Sequence, residues 1–143
     1  MRSACAGEPF YKEREAKRYC LLHYPGKEKS ADFQVALKRK LENKDFDFRG
    51  VWYPDDASFE NFHFDEMALF SGATFSAAAN FRDATFSAKA DFSGATFSAE
   101  AGFGRATFSA KVGFEGATFS SAAHFLSTKF GAAAYFSSAK FMR

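Results

Sequence analysis

Apolar residues return along most of this chain on a beat of five and then six positions. From residue 70 onward the beat is carried by phenylalanine: Phe70, Phe75, Phe81, Phe86, Phe92, Phe97, Phe103, Phe108, Phe114, Phe119, Phe125, Phe130, Phe136 and Phe141. The clearest portion reads FSGATFSAAAN, FRDATFSAKAD, FSGATFSAEAG, FGRATFSAKVG, FEGATFSSAAH, an eleven-residue repeat starting at Phe70. Phe64, Phe59, Tyr53 and Phe48 extend the same alternation backwards, so eighteen aromatic positions share one register. A second row runs two residues ahead of the first and is nearly always alanine, as at Ala73, Ala84, Ala95, Ala106 and Ala117. Phe46, Val51, Phe62, Val112 and Thr128 are its exceptions. Self-similarity at a fixed period is the signature of a repeat architecture and takes precedence over local propensity.

Residues two apart on an extended strand share a face, so the alanine and phenylalanine rows point inward together. The flanking residues, such as Thr74 and Ser76 or Thr96 and Ser98, then point outward. Strands this short must turn at intervening small residues, with Gly72, Gly94 and Gly116 the candidates. Each aromatic side chain is buried against copies of itself, which predicts a β-solenoid whose coils stack about 4.7–4.9 Å apart.

These units, exemplified by Ala73-Thr74-Phe75-Ser76-Ala77 and Ala90-Asp91-Phe92-Ser93-Gly94, resemble the pentapeptide-repeat family, whose repeat centres on Leu or Phe with Ala two residues before it. The resemblance covers about two thirds of the chain. It implies an all-β fold, a right-handed quadrilateral β-helix built from four five-residue faces. The chain departs from that pattern by one extra residue after every second unit: Ala78, Lys89, Glu100, Lys111, Ala122 and Ala133. Two geometries follow, an eleven-residue coil and a twenty-two-residue coil. The smaller coil would pair Lys89, Glu100 and Lys111 but leaves too little interior for phenylalanine rings, so the reading adopts twenty-two residues per coil.

Residues 30–43 read as an α-helix. Ser30 is placed to cap it, Asp32 sits in the first turn, and Phe33, Ala36, Leu37 and Leu41 form one apolar stripe. Lys38, Arg39, Lys40 and Lys44 are assigned to the far side and the C-terminal end, where positive charge suits the helix dipole. A solenoid's first coil presents unpaired backbone groups and an open core, and this helix is placed to cover them. The chain thus divides into a head with a capping helix, residues 1–45, and a solenoid, residues 46–143. Residues 1–29 read as a compact, turn-rich segment, and Trp52 is expected to pack beneath the head.

Twenty-one Phe in 143 residues is a strong departure from ordinary usage, and the ladder accounts for it. The net charge of +2 is unevenly shared: residues 1–45 carry eleven Lys/Arg against seven Asp/Glu, and residues 46–143 carry eight against ten. Neither half is charged enough to indicate a nucleic-acid or membrane partner. No apolar segment suggests a signal peptide or a membrane span, and two cysteines do not make a disulfide framework. The location expected on these grounds is cytoplasmic.

In the head, Cys20-Leu21-Leu22-His23 has a spacing that lets a thiolate and an imidazole converge on one ion from a tight turn. The stretch Tyr19 to Lys27 also resembles the small Cys/His-containing head that precedes Phe-type repeats in some bacterial relatives, and that resemblance implies a structural zinc site. Cys5, Cys20 and His23 are its candidate ligands, with His63 the candidate fourth. The competing reading, two ordinary buried thiols and a hydrogen-bonded histidine, is favoured, and no cofactor is assigned.

No P-loop, dinucleotide fingerprint or nucleophile elbow is present, and the outward Ser, Thr, Ala and Gly residues are poor catalytic material. The expected function is a non-catalytic scaffold or protein-interaction module, the default of the family it resembles. Two alternatives are a DNA-mimicking protein that binds a topoisomerase such as gyrase, and an ice-binding solenoid that uses the outward Thr-x-Ser rows. Arg82, Lys89, Arg105, Lys111, Lys129 and Lys140 interrupt any acidic stripe and weigh against the first. The repeat reaches Phe141 without a capping pattern, so an open coil and a homodimer through it are expected.

Overall fold

The structure, a computed structural model, describes residues 10–142. It opens with a hairpin in which β1 (Phe10–Arg14) pairs antiparallel with β2 (Lys17–Cys20). Glu15 and Ala16 form the turn, at φ 52° and 65°. Two successive left-handed residues make the turn whose twist matches that of the flanking strands. The sequence reading placed only turns here, because the ribbon FYKER/KRYC is mostly solvent-exposed and shows no buried alternation.

A single 3₁₀ turn, Lys27–Lys29, leads into α1 (Ser30–Glu42). The apolar stripe of α1 faces the solenoid: Phe33 and Ala36 are buried, and Leu37 and Leu41 pack against the same core. Phe33 meets the edge of Tyr53 with ring centroids 5.4 Å apart. Two details of the helix differ from the sequence reading. Ser30 does not cap it; its hydroxyl instead donates to Asp55 Oδ2, tying the helix start to the first coil. Lys40 does not lie on the solvent side. It is buried, with its ammonium 2.9 Å from Asp45 Oδ2 and 5.3 Å over the Phe48 ring. Four methylenes let a lysine cover apolar surface while its charge reaches a partner.

Beyond the helix, seventeen two-residue strands from Trp52–Tyr53 to Lys140–Phe141 form four parallel sheets. Partners are always twenty-two residues apart: Thr74, Thr96 and Thr118 stack on one face, and Thr85 and Thr107 on the opposite one. Ala79, Ala101 and Ala123 line the third face, and Ala68, Ala90, Val112 and Ala134 the fourth. The chain is therefore a quadrilateral β-helix with twenty-two residues per coil, preceded by one helix.

Two kinds of corner alternate. At the tight corner a backbone bond closes a four-residue turn, as from Ala95 N to Phe92 O and from Ala106 N to Phe103 O. The third residue of each such turn has φ near +60° to +70°: Gly50, Gly72, Gly94, Gly116 and Ser138 at one edge, Asn61, Asp83, Arg105 and Ser127 at the opposite edge. This conformation suits glycine and strains the others. The extra residue of each eleven sits at the wider corner, where the step along the chain is six.

Inside, the rings form four columns. Tyr53, Phe75, Phe97, Phe119 and Phe141 stack with centroids 4.5–4.9 Å apart and planes within 9° of parallel. Columns on opposite faces meet edge-on across the interior, as Phe81 does with Phe92 at 5.4 Å and 86°. Inward Phe and Ala residues from Phe64 to Phe119 are almost wholly buried. Each buried Phe contributes roughly 2 kcal/mol of gross hydrophobic stabilisation, against an ordering cost of comparable total size. The last coil is different. Phe130, Phe136 and Phe141 stack on the coil beneath but remain exposed on their other side.

Candidate interaction surface

The head docks on the first coil by polar contacts as well as apolar ones. Trp52 N donates to Leu22 O, so the head lies against the strand that opens the first sheet. Trp52 is half-buried beneath it. Lys29 is fully buried, donating to Leu21 O at 2.7 Å and Leu22 O at 2.9 Å, with its ammonium 4.6 Å over Phe33 and 6.0 Å over Trp52. Burial brings its pKa down from 10.5 to about 7. Sequence reasoning passed over this residue, since lysine ordinarily signals a solvated face.

The structure brings two of the four candidate metal ligands together. His23 Nδ1 lies 3.5 Å from Cys20 Sγ, while His23 Nε2 is 2.9 Å from Arg49 O. A carbonyl can only accept, so Nε2 carries the proton, and Nδ1 is the nitrogen turned toward the sulfur. His63 stands elsewhere, on the outer face of the first coil, with Nε2 bonded to Ser87 Oγ. Cys5 lies outside the described residues. Among the described residues no three His, Cys, Asp or Glu side chains gather as a cluster able to hold a metal ion, and Cys20 is disulfide-bonded, so its sulfur is not the thiolate a zinc site requires.

The outer faces carry the remaining chemistry. On each face the outward residues form two straight rows along the axis, because the parallel ladders keep every coil in register. On the face of Ala79, Ala101 and Ala123, one row reads Ser58, Asn80, Gly102, His124 and the other Glu60, Arg82, Gly104, Leu126. Glycine occupies both rows in one coil, leaving a slot of about 650 Å³ between the coils on either side. The floor is bare backbone, since Phe103 between the glycines points into the core. Several of its amide and carbonyl groups are already used: Phe103 N donates to His124 O, Arg105 N to Leu126 O, and Gly102 O and Gly104 O accept from Phe81 N and Asp83 N.

Charge is distributed unequally around this slot. Arg105 grips Asp83 with two bonds of 2.8 and 2.7 Å. This contact holds the Asp83 carboxyl below its ordinary pKa and raises that of Arg105. Asp83 is thereby fully engaged, and Arg82 reaches it only at 4.0 Å, with 54% of its side chain exposed. At the other end Glu100 Oε2 lies 3.3 Å from His124 Nε2. Leu126, on the upper wall, is 80% exposed. The slot was not legible as a site in the sequence; its signal is the interruption of two outward rows by Gly102 and Gly104.

Among the described residues no helix is long and apolar enough to cross a membrane. The family model described as pentapeptide repeats (9 copies) matches residues 59–107 and, overlapping them, residues 70–118. No curated protein matches the chain, and no solved structure does.

Proposed function

Because residues 59–118 are a pentapeptide-repeat array wound as a twenty-two-residue β-helix, we propose that the protein is a non-catalytic scaffold whose outer faces hold a protein partner. The observation that carries this reading is the regularity of the outward rows. Four in-register parallel ladders hold exposed side chains at fixed spacing over several coils, and the ring columns leave little freedom to deform them. A rigid surface loses little conformational entropy on binding, which favours recognition over chemistry. Rigid, extended surfaces are what solenoids characteristically offer partners.

The exposed coil of Phe130, Phe136 and Phe141 supports a second contact, with another copy of the chain. Flat ring columns and strand edges of this kind are self-complementary. Sedimentation over a range of concentrations tests it, and a monomer at every concentration contradicts it. The charge pattern does not favour a DNA mimic: Arg82, Arg105, Lys89 and Lys111 are all exposed among the acidic positions. The threonine rows hold three and two residues before Lys140 and Lys129 end them, which gives the ice-binding reading little support.

Affinity capture with the whole chain from native lysate, followed by titration of the purified partner, tests the scaffold reading. A saturable, stoichiometric complex is expected. Capture of no stoichiometric partner contradicts the reading.

A further inference from the structure

Cys20 is disulfide-bonded, and is not the ordinary thiol of the sequence reading. It ends β2 opposite Phe10 and is 9% exposed. Its carbonyl accepts from Tyr24 N, closing the turn that brings His23 back beside the sulfur. The imidazole is held there from both sides. Nδ1 faces Cys20 Sγ at 3.5 Å, and Nε2 donates to Arg49 O at 2.9 Å. A Cβ on Gly50 would stand 3.1 Å from Nε2 and 3.2 Å from Cδ2, so the first coil is packed tightly against the ring. The same turn is tied to its surroundings by Trp52 N, which donates to Leu22 O, and by Lys29, which donates to Leu21 O and Leu22 O.

A disulfide that only staples the chain needs no base beside it. A sulfur, an imidazole within reach of it and a third group that orients the imidazole are instead the parts of an activated cysteine. The nitrogen without a proton is the one turned to the sulfur, so it can take up the proton of the thiol that reduction creates. Cys20 is then left as a thiolate against an imidazolium, whose other N–H stays on Arg49 O. Such pairing stabilises a thiolate and makes it a better leaving group. A disulfide opens when a thiolate attacks one sulfur and the other departs. The burial of Cys20 and the stabilisation of its thiolate both direct the attack to the partner sulfur.

We infer that Cys20 and His23 form a thiol–disulfide exchange site at which a dithiol reductant opens the head's disulfide, with Cys20 as the departing thiolate and Cys5, the chain's one other cysteine, as the sulfur attacked. The first thiolate of the reductant bonds to Cys5 as the Cys5–Cys20 bond breaks, and the electron pair of that bond goes to Cys20. The second thiolate of the reductant attacks the mixed disulfide at the reductant's own sulfur, which releases Cys5 and leaves the reductant as a cyclic disulfide. Two electrons and two protons pass to the chain, one proton shared by Cys20 Sγ and His23 Nδ1 and the other on Cys5. The inference goes beyond the scaffold reading and does not rest on it.

The test treats the oxidised full chain with reduced glutathione at pH 7, quenches early with iodoacetamide and maps both cysteines by mass spectrometry. A monothiol halts the reaction at the mixed disulfide, so glutathione on Cys5 and the alkyl label on Cys20 are expected in the first product. His23→Gln keeps a donor for Arg49 O but brings no basic nitrogen to the sulfur. It should slow opening by dithiothreitol about tenfold and shift the equilibrium in a glutathione buffer about tenfold toward the disulfide. The melting temperature of the reduced variant should match that of the reduced wild type. The mapping uses the wild type alone, so it decides the assignment even where the variant misfolds. No Cys5–Cys20 disulfide after oxidation, glutathione found first on Cys20, or wild-type rate and equilibrium in a folded His23→Gln would overturn the inference. So would uptake of one zinc ion per reduced chain with protection of Cys20 from alkylation, which would make the pair metal ligands instead.

Discussion

Phe75 lies directly beneath Phe97, their centroids 4.9 Å apart and their planes within 4° of parallel. The rings are twenty-two residues apart in sequence, and their separation is the spacing of neighbouring β-strands. The backbone ladder sets that distance, and the ring takes the orientation that fills the interior at that pitch. Edge-on contacts between adjacent columns, such as Phe97 with Phe103 at 6.1 Å and 76°, add the geometry aromatic quadrupoles prefer. One coil thereby closely repeats the next in its interior, with Val112 for alanine and Tyr53 for phenylalanine as exceptions, and differs mainly outside.

Substitution at Phe97 and at its neighbour Ser98 should therefore have opposite consequences. Phe97 is 0% exposed, and Phe97→Asp places an unpaired carboxylate among rings, which should abolish cooperative unfolding. Phe97→Ala should cost about 3–5 kcal/mol. Ser98 points to solvent, and Ser98→Asp should change stability by less than about 0.5 kcal/mol. Thermal melts of the three variants check this, and similar melting temperatures for Phe97→Asp and Ser98→Asp would refute the inward and outward assignment.

The tight corners make a separate prediction. Gly94 sits at φ 66° and Ser127 at φ 59° in equivalent turns, eleven-residue repeats apart. Gly94→Ala should cost about 1–2 kcal/mol although a Cβ there meets nothing closer than 3.9 Å, because the strain is in the backbone. Ser127→Gly should be neutral or stabilising by up to about 1 kcal/mol. Chemical denaturation measures both, and a stability loss in Ser127→Gly would count against the turn geometry.

Tyr53 begins the ring column that continues through Phe75, yet its hydroxyl is buried without a hydrogen-bond partner among the described residues. Burial also raises its pKa well above 10. Tyr53→Phe removes the polar atom and keeps the ring, so it should leave stability unchanged or raise it by about 1 kcal/mol. A clear drop in melting temperature would mean that the hydroxyl has a partner in solution.

Docking of the head should depend on pH through Lys29. Its folded pKa of about 7 lies below the ordinary 10.5, so between these values the unfolded chain holds a proton that the folded chain does not. Stability accordingly rises with pH across that window, by at most about 1.4 kcal/mol per unit, and the contribution is absent below pH 7. Above pH 10 ionisation of Tyr53 in the unfolded chain works in the opposite direction. Melting temperatures measured from pH 6.5 to 9.5 should rise in the wild type and lose most of that slope in Lys29→Met. An equal slope in both proteins would remove Lys29 from the account.

The solenoid was legible in the sequence because its constraint is repeated: the Phe and Ala rows share the inward face, an eleven-residue coil leaves too little interior for the rings, and Thr74, Thr96 and Thr118 do stack at twenty-two. The helix was legible from its stripe of Phe33, Ala36, Leu37 and Leu41. What escaped has no periodic signal. The hairpin Phe10–Cys20 is an exposed ribbon rich in charge, Lys29 and Lys40 are buried against the usual habit of lysine, and Ser30 gives its hydroxyl to Asp55 across the helix–coil junction. The left-handed corners at Asp83 and Arg105 are marked by position, one repeat away from Gly94, and not by residue type. The slot is a local loss of side chains, which becomes a feature only once neighbouring coils are stacked around it.

The central claim is that the solenoid face, and not the head, holds the partner. The most direct measurement is calorimetric titration of the captured partner against the whole chain carrying either Arg82→Glu with Gly104→Thr on the solenoid, or Lys12→Ala with Tyr19→Ala on the hairpin. The account predicts at least tenfold weaker binding for the solenoid pair and wild-type affinity for the hairpin pair. Wild-type affinity for the solenoid pair together with lost binding for the hairpin pair would contradict it, and would make the head the recognition element with the solenoid as its support.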